Sequence, residues 1–193
     1  MTLADEHGDP RLEANLRLTS YSGLVLLLLM ALVYLTGAFF DPLRQVHFAI
    51  GFAIIPLLAV KLTSTGWRAA NYYLRREPYR SDGPPQLIPR LLAPLLVVSA
   101  IIATLTGVVL WVLGTQRGTW ATLHTDSVVV LAFVLALHTL TYILRAVRAS
   151  AGGIASAEIT GEERVMLWTL ALALVAAVLA IGVEPPWQGL PSH

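Results

Sequence analysis

Five stretches of about 20 apolar residues constrain the fold of this chain more than any other feature. A helix needs roughly 20 such residues to cross about 30 Å of hydrocarbon. The runs cover approximately residues 19–40, 43–64, 87–114, 121–149 and 165–183. Across 193 residues, 56% are hydrophobic and only 13% are charged, which is too apolar for a water-soluble domain. The sequence therefore predicts an all-α polytopic membrane bundle, with four helices in the core and a fifth transmembrane helix.

These spans divide the chain into five predicted segments. They are an N-terminal tail (1–18), a four-helix transmembrane bundle (19–149), a loop (150–163), a fifth transmembrane helix (164–183) and a C-terminal tail (184–193). The first span is too long, and too poor in a small-residue cleavage signal, for a removable signal peptide. We expect it to remain as structure. The fifth apolar span, residues 165–183, contains no histidine and no charge, which indicates a packing helix or a docking surface for another subunit.

Basic residues predict the orientation, because Lys and Arg accumulate on the cytoplasmic side of a membrane. With the N-terminus inside, only Arg44 and Arg117 of the 13 basic residues fall on the outer face. We therefore expect a plasma-membrane (inner-membrane) protein in contact with lipid, with an extracytoplasmic C-terminus. Spans two and four then both run inward. The dispersed charge, +1 overall, indicates no nucleic-acid partner.

Two pairs of nitrogen-bearing side chains recur at one spacing on these co-directional spans. His47 and Lys61 on span two are fourteen residues apart, as are His124 and His138 on span four. Fourteen residues return to within about 40° of the same helix face after roughly 21 Å. The spacing therefore predicts two stacked pairs, His47 with His124 near the outer surface and Lys61 with His138 near the inner one.

Such facing pairs suit the two axial positions of b-type haem, whose porphyrin supplies four equatorial nitrogens. The chain has no cysteine, which excludes iron–sulfur clusters, thiolate metal sites and covalent c-type attachment. We therefore predict two haem b groups, with His47 and His124 on the outer iron and Lys61 and His138 on the inner iron.

Glycines and arginines complete the predicted haem sites. Gly23 and Gly37 repeat the fourteen-residue offset on span one, where a flat macrocycle needs positions without side chains, although glycine is frequent in membrane helices generally. Arginines at the span ends are candidate partners for the haem carboxylates, and the orientation rule alone also explains them. The outer candidates are Arg44 and Arg117, and the inner candidates are Arg68, Arg90 and Arg145.

The pattern His-x3-Gly-x4-Pro-x4-Lys (His47, Gly51, Pro56, Lys61), together with His124-x13-His138, resembles a known family. It is similar to the membrane haem b segment found with actinobacterial molybdopterin-dependent oxidoreductases. That segment is itself similar to the di-haem cytochrome b561, hydrogenase and formate dehydrogenase cytochrome subunits. The resemblance covers about residues 19–148 and implies a four-helix haem bundle that passes electrons across or along the membrane. The chain departs from the bis-histidine members at Lys61.

The expected function is electron transfer between a quinone pool or cytoplasmic donor and an extracytoplasmic redox protein. The chain has no molybdopterin domain, so a catalytic partner would be a separate subunit, and whether the protein counts as an enzyme depends on that partner. Apart from the ligand spacing, the sequence shows no internal repeat.

Several alternatives stay open from the residues alone. Lys61 ligates iron or extends to the cytoplasmic headgroups, since lysine at a span end often does the latter. His138 ligates iron or bonds within its helix, to a carbonyl or to Thr139 or Thr141. A protein with one haem would be a sensor or membrane anchor, and a haem-free protein would use the same ionisable groups as a proton relay.

Overall fold

The computed structural model describes residues 10–76, 79–80, 87–115, 117–153 and 161–183. These residues form five helices. They are α1 (Pro10–Ala38), α2 (Phe40–Tyr73), α3 (Leu87–Leu113), α4 (Thr119–Gly153) and α5 (Gly161–Gly182). Each helix contains a segment long and apolar enough to cross a membrane. The prediction of an all-α membrane bundle with five spans is therefore confirmed.

The helices extend beyond the apolar runs from which they were predicted. α1 begins at Pro10, and α2 continues to Tyr73, whereas the apolar runs there begin at residue 19 and end at residue 64. Helical hydrogen bonding does not stop where hydropathy falls, because polar side chains are tolerated at the headgroup level. The predicted segments 1–18, 150–163 and 184–193 lie partly or wholly outside the described residues.

The first two helices are separated by a single residue, Phe39. Asp41 and Pro42, directly after the first apolar run, lie in the first turn of α2. Proline is tolerated there because the first amides of a helix have no intrahelical partner. A local break follows at Leu43, with φ −114° and ψ 16°. The tight connection makes α1 and α2 an antiparallel hairpin.

The first four helices form a ring of two hairpins. α1 packs closely on α2, and α3 packs closely on α4; looser α1–α4 and α2–α3 contacts close the ring. Among the described residues, no α2–α4 or α1–α3 pair approaches closely enough for direct backbone packing. Leu57 on α2 and Val134 on α4 are almost fully buried. α2 and α4, which carry the predicted ligands, face each other across the ring.

A hydrogen bond and an aromatic contact are among the side-chain contacts between the hairpins in the described part of the chain. The Tyr34 hydroxyl on α1 donates to the Val128 carbonyl on α4 at 3.1 Å. The rings of Phe52 on α2 and Trp111 on α3 meet edge to face, with their centroids 5.1 Å apart. A buried hydroxyl in an apolar bundle needs such an acceptor, since lipid offers none. These contacts fix how the two hairpins lie against each other.

The fifth helix packs against α2 and α1, outside the ring. Its first turn carries Glu162 and Glu163, which suit the positive end of the helix dipole. The Glu162 side chain is 7% exposed, and its Oε1 lies 2.7 Å from Nε of Arg17 on α1. This ion pair ties the start of α5 to the start of α1. The packing role expected for this helix agrees with its position.

Candidate ligand sites

His47 lies against a recurring three-part feature of the neighbouring helix. Its Nδ1 is 3.1 Å from the Val33 carbonyl and 3.2 Å from Thr36 Oγ1, both on α1. The Thr36 hydroxyl itself donates to the carbonyls of Leu32 and Val33, at 3.0 and 3.1 Å. Gly37 follows, and a Cβ there would lie 3.3 Å from His47 Cε1. We refer to this carbonyl, the hydroxyl three residues later and the next glycine as a cradle.

His124 lies in a matching cradle in the other hairpin. Its Nδ1 is 3.0 Å from the Ala103 carbonyl and 3.1 Å from Thr106 Oγ1, both on α3. The Thr106 hydroxyl donates to the carbonyls of Ile102 and Ala103, at 2.7 and 3.1 Å. A Cβ at Gly107 would lie 3.2 Å from His124 Cε1. Each hairpin therefore holds one imidazole with the same set of contacts.

The two cradles determine which nitrogen of each ring carries the proton. A backbone carbonyl can only accept, so the nitrogen beside Val33 or Ala103 must be an N–H. Because each threonine proton points to its own helix, the threonine oxygen is also available as an acceptor. In the neutral ring, Nε2 then keeps a free lone pair. The cradles therefore present His47 and His124 as nitrogen donors through Nε2.

Lys61 lies against a third feature of the same form, fourteen residues earlier on α1. Its amine donates to the Thr19 carbonyl at 2.6 Å. The Ser22 hydroxyl donates to the carbonyls of Leu18 and Thr19, at 2.8 and 3.2 Å. A Cβ at Gly23 would lie 2.7 Å from Lys61 Nζ, so this glycine is needed for the amine to sit there. α1 thus repeats its cradle for Lys61.

This position bears on the two interpretations of Lys61. The residue lies twelve positions before Tyr73, the last residue of α2, so about 18 Å of helix continues beyond it. The amine turns sideways to α1 and is held within the α1–α2 contact. Extension along α2 toward its end is not the conformation observed. The carbonyl contact suits an ammonium, and equally a neutral amine that donates one N–H and keeps a lone pair.

Small polar groups surround the Lys61 cradle. The Thr19 hydroxyl donates to Ser64 Oγ at 3.1 Å, and the Asn15 amide donates to the Ser64 carbonyl at 3.3 Å. Ser64 is 4% exposed and donates to the Lys61 carbonyl at 3.1 Å. This end of the α1–α2 contact is therefore joined by hydrogen bonds, whereas the middle is mostly apolar.

The members of each predicted pair are near enough to interact electrostatically. His47 lies within electrostatic range of His124, and His138 lies within range of Lys61. All four side chains are half-buried. We refer to the His47–His124 pair as the first level and to the Lys61–His138 pair as the second level.

The second level is built less symmetrically than the first. Fourteen residues before Thr106 and Gly107, α3 carries Leu92 and Ala93, so the hydroxyl and glycine are not repeated beside His138. Among the described residues, the α1–α2 hairpin shows two cradles, at His47 and Lys61, and the α3–α4 hairpin shows one, at His124. The levels therefore differ both in donor type and in how the donors are held.

The predicted glycines and arginines have distinct surroundings. Gly23 and Gly37 contact Lys61 and His47, so they make room for the donor side chains themselves. Arg44 Nη2 lies 3.5 Å from Asp41 Oδ1, and its guanidinium lies 5.6 Å from the centre of the Phe40 ring. Arg68 lies within electrostatic range of Lys61, and the Arg90 guanidinium lies over the Tyr73 ring, 5.5 Å from its centre. Arg117 is exposed, and the Arg145 side chain lies outside the described residues.

Sequence reasoning missed the residues that hold the histidines: Thr36, Thr106 and Gly107. A signal for them was present, since the tripeptide Leu-Thr-Gly occurs at residues 35–37 and again at 105–107. This recurrence of three residues adds to the ligand spacing that the sequence analysis singled out. The repeat is short because only the groups that contact the ring need to recur.

Comparison of the chain with protein-family models, curated proteins and solved structures found no match.

Proposed function

We propose that this protein is a membrane b-type cytochrome that transfers electrons through two haem groups. His47 and His124 would hold the first iron, and Lys61 and His138 would hold the second. This is the function implied by the resemblance of the sequence to the di-haem cytochrome b subunits. Its support comes from the donors and their surroundings.

One observation carries the proposal: two histidines on opposite helices are held identically through Nδ1. Histidines that bind a metal typically donate their other N–H to a carbonyl or carboxylate, which orients the ring and makes it a better donor. His47 and His124 both make this bond, at 3.1 and 3.0 Å. A buried histidine needs only one hydrogen-bond partner to be stable in an apolar bundle. The matching contacts of His47 and His124 on two different helices are more than burial alone requires.

The donor set favours a porphyrin over a metal ion held by protein alone. Within the described residues, no three His, Cys, Asp or Glu side chains lie close enough to hold a metal ion together. Two nitrogen donors complete an iron that already has four porphyrin nitrogens. The ring of helices suits this arrangement, since α2 and α4 carry the donors without direct packing between them.

A bound haem supplies one-electron chemistry by alternating between ferric and ferrous iron. The chain's own residues set the conditions. The cradles fix the donor atoms and the apolar bundle excludes water. The charge of Arg68 lies within electrostatic range of Lys61 at the second level. The second level, with an amine donor and a single cradle, differs in these respects from the first, so the two levels are expected to have different reduction potentials.

The membrane setting completes the proposal. The N-terminus lies in the cytoplasm and the C-terminus outside, so the second level is nearer the cytoplasm. Electrons pass between a quinone or cytoplasmic donor and an extracytoplasmic redox subunit, for which a molybdopterin oxidoreductase is the working candidate. The protein then serves as the electron-transfer subunit of an oxidoreductase complex.

Haem stoichiometry tests this function directly. The protein purified in mild detergent is expected to contain two haem b per chain by pyridine haemochrome, and His47→Ala or His124→Ala is expected to lower the value to about one. A value of one in the unaltered protein would support a single-haem sensor or anchor. A colourless, folded protein would contradict the proposal and favour a haem-free proton relay.

A further inference from the structure

The side chains that distinguish the first level from ordinary buried histidines are two threonines. Thr36 and Thr106 are 6% and 3% exposed, and each lies next to a glycine that contacts the same imidazole. A threonine within a membrane helix satisfies itself by donating to its own helix, as both of these do. Neither side chain needs the histidine. The contact between each threonine and its imidazole therefore satisfies the histidine and not the threonine.

We propose that Thr36 and Thr106 are a matched pair of positioning residues that set the donor strength and orientation of His47 and His124. This inference rests on the proposed function and assigns roles to residues beyond the ligands. Each threonine oxygen is a second acceptor for the Nδ1–H, at 3.2 Å for His47 and 3.1 Å for His124. The carbonyl alone fixes the tautomer, and the threonine adds a second point of contact that restricts rotation of the ring.

The direction of the effect follows from the shared proton. An N–H with two acceptors leaves more electron density on the ring, so Nε2 becomes a stronger donor. A stronger donor favours the ferric over the ferrous state. Removing the hydroxyl therefore raises the reduction potential of the first level and weakens its hold on haem. Changes of outer partners typically cost about ten- to a hundredfold in metal affinity.

The test compares Thr36→Val and Thr106→Val with a matched control. Thr169 on α5 is also 4% exposed and donates to its own helix, at 2.7 Å to the Val165 carbonyl. It contacts no histidine in the described part of the chain, so Thr169→Val removes the same group without touching a ligand. Thr36→Ser and Thr106→Ser keep the hydroxyl at each cradle.

Two measurements on the purified full-length proteins decide the outcome. The first is the rate at which haem passes to excess apomyoglobin, together with the midpoint potential. We expect Thr36→Val and Thr106→Val to lose the first-level haem about ten- to a hundredfold faster and to have a higher potential. The serine variants and Thr169→Val should match the unaltered protein. Rates equal to that of Thr169→Val would overturn the inference.

The second measurement is the Nδ1–H resonance of ¹⁵N-labelled histidine in the dithionite-reduced protein. Each valine is expected to shift only the resonance of its own histidine, because that N–H loses one acceptor. If no variant contains haem but these resonances shift, the positioning role holds and the proposed function fails. If haem is bound and the resonances are unchanged, the function holds and the positioning role fails.

Discussion

His47 and His124 lie on opposite helices of the ring, and each donates its Nδ1–H to a carbonyl three residues before a threonine on the neighbouring helix. The two hairpins therefore hold their histidines with the same hydrogen bond. An imidazole in an apolar bundle must satisfy one nitrogen, and the cradle does so while leaving the other available.

Filling the glycine positions should displace the histidines. A Cβ at Gly37 or Gly107 lies 3.3 or 3.2 Å from an imidazole carbon, so alanine requires a small shift and valine a larger one. Gly37→Val and Gly107→Val are expected to lower haem content to about one per chain, measured by pyridine haemochrome. Gly182→Val on α5 is the matched control, because a Cβ at Gly182 has no neighbour within 4 Å and α5 carries no predicted ligand. Equal haem in all three variants would contradict the cradle geometry.

The pairing of the candidate donors could be predicted from the sequence because the geometry of a helix depends only on residue spacing. A fourteen-residue interval on two helices that run in the same direction was enough to place His47 at the depth of His124 and Lys61 at that of His138. The cradles could not be placed in this way. Contact between Thr106 and His124 depends on how α3 rotates against α4, and that rotation is set by packing along the whole interface. The short Leu-Thr-Gly repeat becomes informative only when the facing residue is known.

Changing the cradle of Lys61 should alter the haem spectrum in the same way as removing Lys61 itself. In Gly23→Ala the new methyl group occupies the position 2.7 Å from Nζ, so the amine must leave the Thr19 carbonyl. If Lys61 ligates the second iron, Gly23→Ala and Lys61→Ala should both alter the same half of the haem absorbance. Lys61→His should retain a low-spin spectrum, since an imidazole can replace an amine as a donor.

The matched control for these variants is Gly66→Ala, where a Cβ has no neighbour within 4 Å. Absorption and low-temperature electron paramagnetic resonance spectra are the measurements. Identical spectra for Lys61→Ala and the unaltered protein would exclude amine ligation and leave Lys61 with a structural role.

The ion pair between Arg17 and Glu162 should contribute more to stability than the one between Arg44 and Asp41. The Glu162 side chain is 7% exposed, whereas that of Asp41 is 86% exposed. Glu162→Gln should lower the free energy of unfolding by about 2 kcal/mol, between the roughly 0–1 kcal/mol of an exposed pair and the about 3–5 kcal/mol lost when one partner of a fully buried pair is removed. Asp41→Asn should change it by less than about 1 kcal/mol.

Unfolding of both variants can be followed in detergent by titration with sodium dodecyl sulfate and circular dichroism. Because Glu162 begins α5, its loss should also make this helix easier to separate from α1, which limited proteolysis would reveal. If both variants lower the free energy of unfolding equally, burial of Glu162 does not strengthen the contribution of its ion pair to stability.

The absence of cysteine makes the orientation testable without background, because any introduced thiol is the only one in the chain. Arg76 and Arg117 are both exposed, and they lie at opposite ends of the bundle, after α2 and before α4. With the N-terminus in the cytoplasm, Arg117→Cys should react with a membrane-impermeant maleimide in intact cells. Arg76→Cys should react only after the membrane is permeabilised. The reverse pattern would place the second level at the outer surface, and the proposed path would then connect a quinone or donor on that side with a cytoplasmic partner.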